Sequence, residues 1–150
     1  MDVLTREKLL RRTFNLARLA KNRGNGAFGA ILARGSTVLF EGENTVTEGK
    51  GDLTCHAEMN VLREASLVYE KDDFSEFTLY CSTEPCAMCA GAAFYCGVGS
   101  IVYGYGAADY ARQKGGGLSM GCRQVFESGE GRSVEVMGPL LEEEAAAVHQ

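Results

Sequence analysis

Three side chains able to bind a soft divalent metal stand in two short clusters of this sequence. His56 lies in Cys55-His56-Ala57-Glu58, and two thiols lie in Pro85-Cys86-Ala87-Met88-Cys89. One imidazole and two thiolates make a three-ligand zinc set, which leaves a fourth coordination position for water and lowers the pKa of that water towards neutrality. Glu58, two positions from the imidazole, supplies a carboxylate that can stay off the metal yet reach the water, and it is the candidate proton carrier. Such a set can hydrolyse a bond near neutral pH. A Cys-x-x-Cys pair also serves redox centres, but a redox dithiol has no use for an upstream His-x-Glu. The two clusters together therefore point to Zn2+, one ion per chain. A closed structural zinc site would need a fourth protein ligand such as Cys55, Cys81 or Glu58 itself.

For the clusters to meet, the chain between them must fold back on itself. Leu9, Leu10, Phe14, Leu16, Ala17 and Ala20 recur at helical spacing and predict a helix from Thr5 to about Asn22, stopped by Gly24 and Gly26. The apolar runs Ala27 to Ala33 and Thr37 to Asn44 about Arg34-Gly35-Ser36 predict a hairpin. After the Gly-rich stretch Glu48-Gly49-Lys50-Gly51-Asp52, a helix is expected from Thr54, as its N-cap, to Leu67, with His56 and Glu58 in its first turns. Phe77 to Ser82 reads as a strand, Ala87 to Cys96 as a small-residue helix and Ser100 to Tyr105 as a strand, an order that implies a right-handed parallel crossover. From Gly106 to Gly131 the pattern weakens, and Gly115-Gly116-Gly117 reads as a flexible stretch. A last strand at Ser133 to Met137 and a closing helix from Pro139 to Val148 are expected.

The 150 residues, 45% hydrophobic and without a linker or internal repeat, suit a single domain over 1–150 with its own core. A net charge of −5 argues against a broad phosphate-binding face. The basic residues Lys8, Arg11, Arg12, Arg18, Lys21 and Arg23 read as the solvated side of the first helix. Met1 to Glu7 lacks a basic and then apolar leader, and no apolar run approaches a membrane span, so a cytoplasmic protein without membrane association is expected. In a reducing compartment, Cys55, Cys81, Cys96 and Cys122 read as small thiols without a role.

Cys55-His56-Ala57-Glu58 and Thr83-Glu84-Pro85-Cys86-Ala87-Met88-Cys89-Ala90-Gly91-Ala92 resemble the cytidine deaminase superfamily, whose signature is H-x-E with P-C-x-x-C. Glu84-Pro85-Cys86 with Met88 and Gly91 is more similar to its guanine deaminase and tRNA adenosine deaminase branch, and the match runs from about Phe28 to Tyr105. The resemblance implies an α/β fold, a three-layer α/β/α sandwich with a five-stranded mixed sheet, commonly assembled into dimers or larger oligomers. It also implies hydrolytic release of ammonia from a cyclic amidine, with His56, Cys86 and Cys89 on zinc and Glu58 moving protons.

By position in that pattern, Asn44 matches an asparagine that hydrogen-bonds the base, with a strand-end turn residue as the other reading. Phe28 matches an apolar pocket wall, or else is a core aromatic. The Ala57 amide and the Glu84 carbonyl match backbone groups along the reacting edge of the base. Asp109 either matches an acidic residue that contacts substrate or is a solvated loop acid. Leu53, Cys55 and Ala27 depart from residues frequent in the family, which alters the pocket rim.

The run Leu141-Glu142-Glu143-Glu144, read as a solvated helix end, is acidic where the family's tRNA-acting members resemble basic proteins. The expected substrate is therefore a free amino-substituted nucleobase or related heterocycle: guanine, another aminopurine, a triazine or cytosine. Nucleic acid is not the expected partner, and a homodimer is the expected assembly. Inosine formation in tRNA is the first alternative, and a zinc-stabilised binding module without turnover is the second.

Overall fold

The computed structural model describes residues 1–48 and 52–150; the middle of the expected Gly-rich loop, residues 49–51, lies outside the described residues. Helix α1 runs Val3–Asn22, starting ahead of its apolar pattern because the Asp2 carboxylate accepts the Thr5 N–H at 2.7 Å. Strand β1 (Gly29–Arg34) starts later than its apolar run implies, since it crosses α1 at close range. A Cβ on Gly29 would lie 2.3 Å from the Thr13 carbonyl oxygen. Strand β2 (Thr37–Glu43) pairs antiparallel with β1, with Arg34 opposite Thr37 across the expected turn.

Helix α2 (Ala57–Ser66) precedes β3 (Phe77–Thr83), which pairs antiparallel with β1. Helix α3 (Ala87–Cys96) then crosses to β4 (Ser100–Tyr105), parallel to β3. Two short helices, α4 (Ala107–Lys114) and α5 (Cys122–Glu127), lead to β5 (Glu135–Met137), parallel to β4, and the chain closes with α6 (Glu142–Ala147). The five-stranded mixed sheet has the order β2-β1-β3-β4-β5.

Alternation along β1 sorts the core into two halves. Ile31 and Ala33, with Tyr80 and Val102, face Leu10, Phe14 and Ala17 of α1 and Ala145 of α6. Ala30 and Leu32, with Leu79 and Ile101, face Val61 and Leu62 of α2, Ala90 and Ala93 of α3 and Phe126 of α5. Helices therefore cover both faces and the fold is the expected α/β/α sandwich. Among the described residues no helix is long and apolar enough to cross a membrane.

Beyond those shifted ends, the structure departs from the sequence reading at the start of α2 and in the weakly patterned segment. Thr54 does not cap α2: Asp52 Oδ1 accepts its N–H at 2.9 Å and its hydroxyl at 2.7 Å, and Arg63 donates to Thr54 Oγ1 at 2.6 Å, which holds this segment as a turn ahead of the helix. His56 takes the N-cap position instead, in extended conformation (φ −66, ψ 155). Second, the weakly patterned segment contains α4 and α5, which are too short to display a repeated apolar stripe; α4 buries only Ala107. Gly115, Gly116 and Gly117 have φ of 73, 74 and 74, which residues bearing a Cβ rarely adopt.

Candidate metal centre and active site

The parallel pair β3 and β4 ends at Thr83 and Tyr105, and the Glu84 N–H donates to the Tyr105 carbonyl at 2.6 Å where the two strands leave the sheet. Ligand sites of open α/β sheets form at such carboxyl ends. Cys86 stands at the N-cap of α3, extended at φ −67 and ψ 174, with Cys89 in the first turn. Because His56 also precedes its helix, its ring turns towards α3. His56 Nδ1 lies 3.6 Å from Cys86 Sγ and 3.5 Å from Cys89 Sγ.

All three ligand atoms lie within 4.8 Å of one another. Tetrahedral zinc bonded to sulfur at about 2.3 Å and to nitrogen at about 2.0 Å places its ligand atoms roughly 3.6 Å apart, so donor chemistry and spacing both fit zinc. Among the described residues no fourth His, Cys, Asp or Glu joins the cluster, and Cys55, Cys81 and Glu58 are not members.

The electrostatics of the cluster favour a cation. The Cys86 thiol is pulled down to about 4, first by its hydrogen bond with Cys89 and then by that with His56, while the same contact with Cys86 draws His56 upward. Cys89 is pushed up by sharing that hydrogen bond and by burial. Both thiols also sit at a helix N-terminus, where the peptide dipoles favour negative charge. Glu58 is only 4% exposed, and burial pushes its carboxyl up to about 7, where it can both accept and donate a proton near neutral pH.

His56, Cys86 and Glu58 open onto a cavity of about 420 Å³, with Phe28 and Glu84 also in its walls. The other expected site residues do not line it. Cys89 and Ala57 are fully buried, and Asn44, 5% exposed just past β2, uses its Oδ1 to accept the Val46 N–H at 3.0 Å. The Phe28 carbonyl accepts the Asn44 N–H at 3.1 Å, which ties those two residues together. Asp109 lies in the first turn of α4 and pairs with Arg112.

Two features escaped the sequence reading. The Glu84 carboxylate accepts the Ala107 N–H at 2.9 Å and the Cys122 N–H at 2.7 Å, so one side chain holds the first residues of α4 and of α5. Its partners are far along the chain and donate through the backbone, so no spacing rule marks them. The second feature is the C-terminus. Glu142, Glu143 and Glu144 are exposed as expected, with Glu144 paired to Arg11 at 2.8 Å, but Val148 and His149 fold inward to 2% and 3% exposure. His149 Nε2 lies 2.7 Å from Thr83 Oγ1, and the ring packs against Phe28, Tyr105 and Tyr110.

Burial pushes His149 down to about 4, helped by Lys114 of α4 and Lys21 of α1. The folded protein keeps this ring neutral while the unfolded chain takes up a proton near 6.5, so the stability is complete above 6.5 and is lost as pH falls towards about 4. Melting temperatures measured across that window are expected to fall with pH, and His149→Phe to flatten the fall. An unchanged slope in the variant would place the acid sensitivity elsewhere.

Residues 4–105 match the family model described as the cytidine and deoxycytidylate deaminase zinc-binding region. A protein described as a probable cytosine deaminase of Schizosaccharomyces pombe is 31% identical over 147 residues, covering 94% of this chain and 88% of its own length. The guanine deaminase of Bacillus subtilis is 35% identical over 101 residues, 67% of this chain and 64% of its own. A solved structure from studies of A-to-I editing by tRNA deaminases at the wobble position of transfer RNA has a TM-score of 0.75 at 27% identity, covering 95% of this chain and 99% of that one.

Proposed function

This chain belongs to the cytidine and deoxycytidylate deaminase zinc-binding family, enzymes that hydrolyse C–N bonds, and on that premise we propose that it deaminates a free amino-substituted nucleobase or related heterocycle. Guanine, another aminopurine, a triazine and cytosine are the substrates in view, with residues 1–150 acting as one domain. The observation that carries this reading is the placing of the buried Glu58 carboxylate beside His56 and Cys86, two members of the zinc-competent triad, in the wall of an otherwise largely apolar cavity.

His56, Cys86 and Cys89 would hold the zinc, which when bound acts as a Lewis acid and lowers the pKa of water. Glu58 is the proton carrier in this reading. One of its carboxylate oxygens takes a proton from the attacking water and delivers it to a ring nitrogen of the base, then takes the second proton from the hydroxyl now on the ring carbon and gives it to the departing amine; water supplies the oxygen and ammonia leaves. Because Glu58 is shielded from solvent, its proton passes to the substrate in preference to bulk water. Phe28 supports the flat face of the ring. In this reading the Ala57 amide and Glu84 carbonyl address the reacting edge, Asn44 hydrogen-bonds the base and Asp109 contacts it, although Ala57, Asn44 and Asp109 do not line the cavity.

The net charge of −5 and the exposed Glu142 to Glu144 support a small substrate, since phosphate contacts need cations. A second reading, inosine formation in tRNA, is supported by the likeness to the wobble-position deaminase structure. Six free cysteines support a cytoplasmic setting, and exposed Leu67, Val68 and Tyr95 support a homodimer in which a second copy covers them.

Ammonia release from a panel of free bases, nucleosides and triazines, run beside inosine formation in an anticodon stem-loop, tests the choice. Turnover of at least one free base and silence on the stem-loop is the expected result. The reverse pattern would replace the free-base reading with the tRNA reading, and zinc-replete protein silent on every substrate would leave the binding-module alternative.

A further inference from the structure

Three residues in the cavity wall, Phe28, Thr83 and Tyr110, come from a loop ahead of β1, the end of β3 and the middle of α4. Behind them sits His149, which touches all three without lining the cavity itself. We infer that His149 is a positioning residue of the base cavity: it orients the Thr83 hydroxyl and braces Phe28 against Tyr110, and so sets which polar edge of a planar heteroaromatic ring is accepted. The inference rests on the free-base reading above and adds to it a residue from the last two positions of the chain.

The polar half of the argument concerns Thr83. A hydroxyl has one hydrogen to donate and two lone pairs to accept with, and it rotates to suit its partner. His149 Nε2, 2.7 Å from Thr83 Oγ1, removes that freedom. If the ring nitrogen accepts, Thr83 can offer a ligand only lone pairs; if it donates, the Thr83 hydrogen is free to point into the cavity. Either way a fixed ring gives the hydroxyl one sense, and a ring exchanging between tautomers would give it both. Thr83 is three residues ahead of Cys86, so this choice is made beside the proposed reacting centre.

The apolar half concerns three rings. His149 lies 4.8 Å from Tyr110 at 66° and 5.4 Å from Phe28 at 51°, and Phe28 lies 5.4 Å from Tyr110 at 63°. Tilted and edge-on contacts of this kind hold rings in place more specifically than area burial alone. The His149 ring is the member of this group that does not line the cavity, so truncating it loosens the other two without removing a ligand contact.

The test has two arms. His56 and His149 are the only histidines of the chain, so isotope-edited NMR of labelled histidine reads the His149 ring nitrogens against a single other signal set. One tautomer is expected in the wild type and averaged nitrogens in Thr83→Val; averaging already in the wild type would overturn the inference. In the second arm, His149→Phe keeps a ring but loses the hydrogen bond, and KM for the best free base is expected to rise about tenfold, with kcat within about twofold. Zinc content is expected to stay unchanged. Thr83→Val should raise KM to a similar extent, the double variant should add nothing further, and His149→Gln, whose amide can reach Thr83, should recover most of the loss. An unchanged KM in His149→Phe, or losses that multiply in the double variant, would sink the proposal. A wild type silent on every free base defeats the free-base reading alone. The ring-nitrogen spectrum then still decides the pairing, a locked ring sustaining it and an averaged ring overturning it.

Discussion

Glu58→Gln is expected to cut ammonia release by roughly 10²- to 10⁴-fold, the range for losing a positioned general acid and base, while leaving zinc bound. The amide matches the carboxyl in shape but cannot cycle a proton, and Glu58 is not a member of the metal-ligand cluster, so elemental analysis should find the wild-type metal content. Stability should move the other way. Burial raises the Glu58 carboxyl from 4.5 to about 7, so in metal-free protein its contribution is complete below 4.5 and is lost as pH rises through about 7. Glutamine carries no charge to bury, and the metal-free variant should therefore melt above the metal-free wild type at the upper end of that window. A Glu58→Gln protein that releases ammonia at the wild-type rate would remove Glu58 from the chemistry.

Cys86→Ala is expected to abolish both zinc retention and turnover. It deletes the thiol most inclined to ionise and leaves His56 and Cys89, two donors where three are needed. The loss of metal affinity should exceed the roughly 10- to 100-fold cost of removing an outer hydrogen-bonding partner, because a bond to the metal itself is lost. Chelated wild type should regain activity when zinc is restored, and chelated Cys86→Ala should not. Melting should follow the same division, with added zinc raising the wild-type midpoint and leaving the variant's unmoved. Full zinc and full rate in Cys86→Ala would move the metal elsewhere in the molecule.

The metal cluster was legible in the sequence because its chemistry depends on local spacing: a dithiol at one helix start and an imidazole two positions before a carboxylate near the start of another. The sandwich was legible for a related reason, since α1 carries apolar residues at helical spacing and β1, β2, β3, α3 and β4 are short apolar or small-residue runs between turns. The start of α2 was misplaced because Thr54 has the side chain of a good N-cap, yet Asp52 and Arg63, one of them nine residues away, claim its hydroxyl. Helices α4 and α5 were missed because eight and six residues are too few to make a stripe. The support of the cavity was missed for a different reason: Tyr110, the Glu84 carboxylate and His149 work through backbone groups and ring contacts between segments remote in the chain, and neither polarity nor periodicity announces those.

The grip of Glu84 on the two helix starts also has a mechanical side. Residues 108–121 leave and return through anchors on a single carboxylate next to the metal ligands, and that loop includes Tyr110, Gly116 and Leu118 of the cavity wall. Between those anchors the stretch is held again, by the Tyr105 hydroxyl donating to Gln113 Oε1 at 2.7 Å and by Tyr110 packing on Phe28 and His149. Losing the Glu84 carboxylate would therefore slacken one side of the cavity at both of its ends while leaving its middle attached.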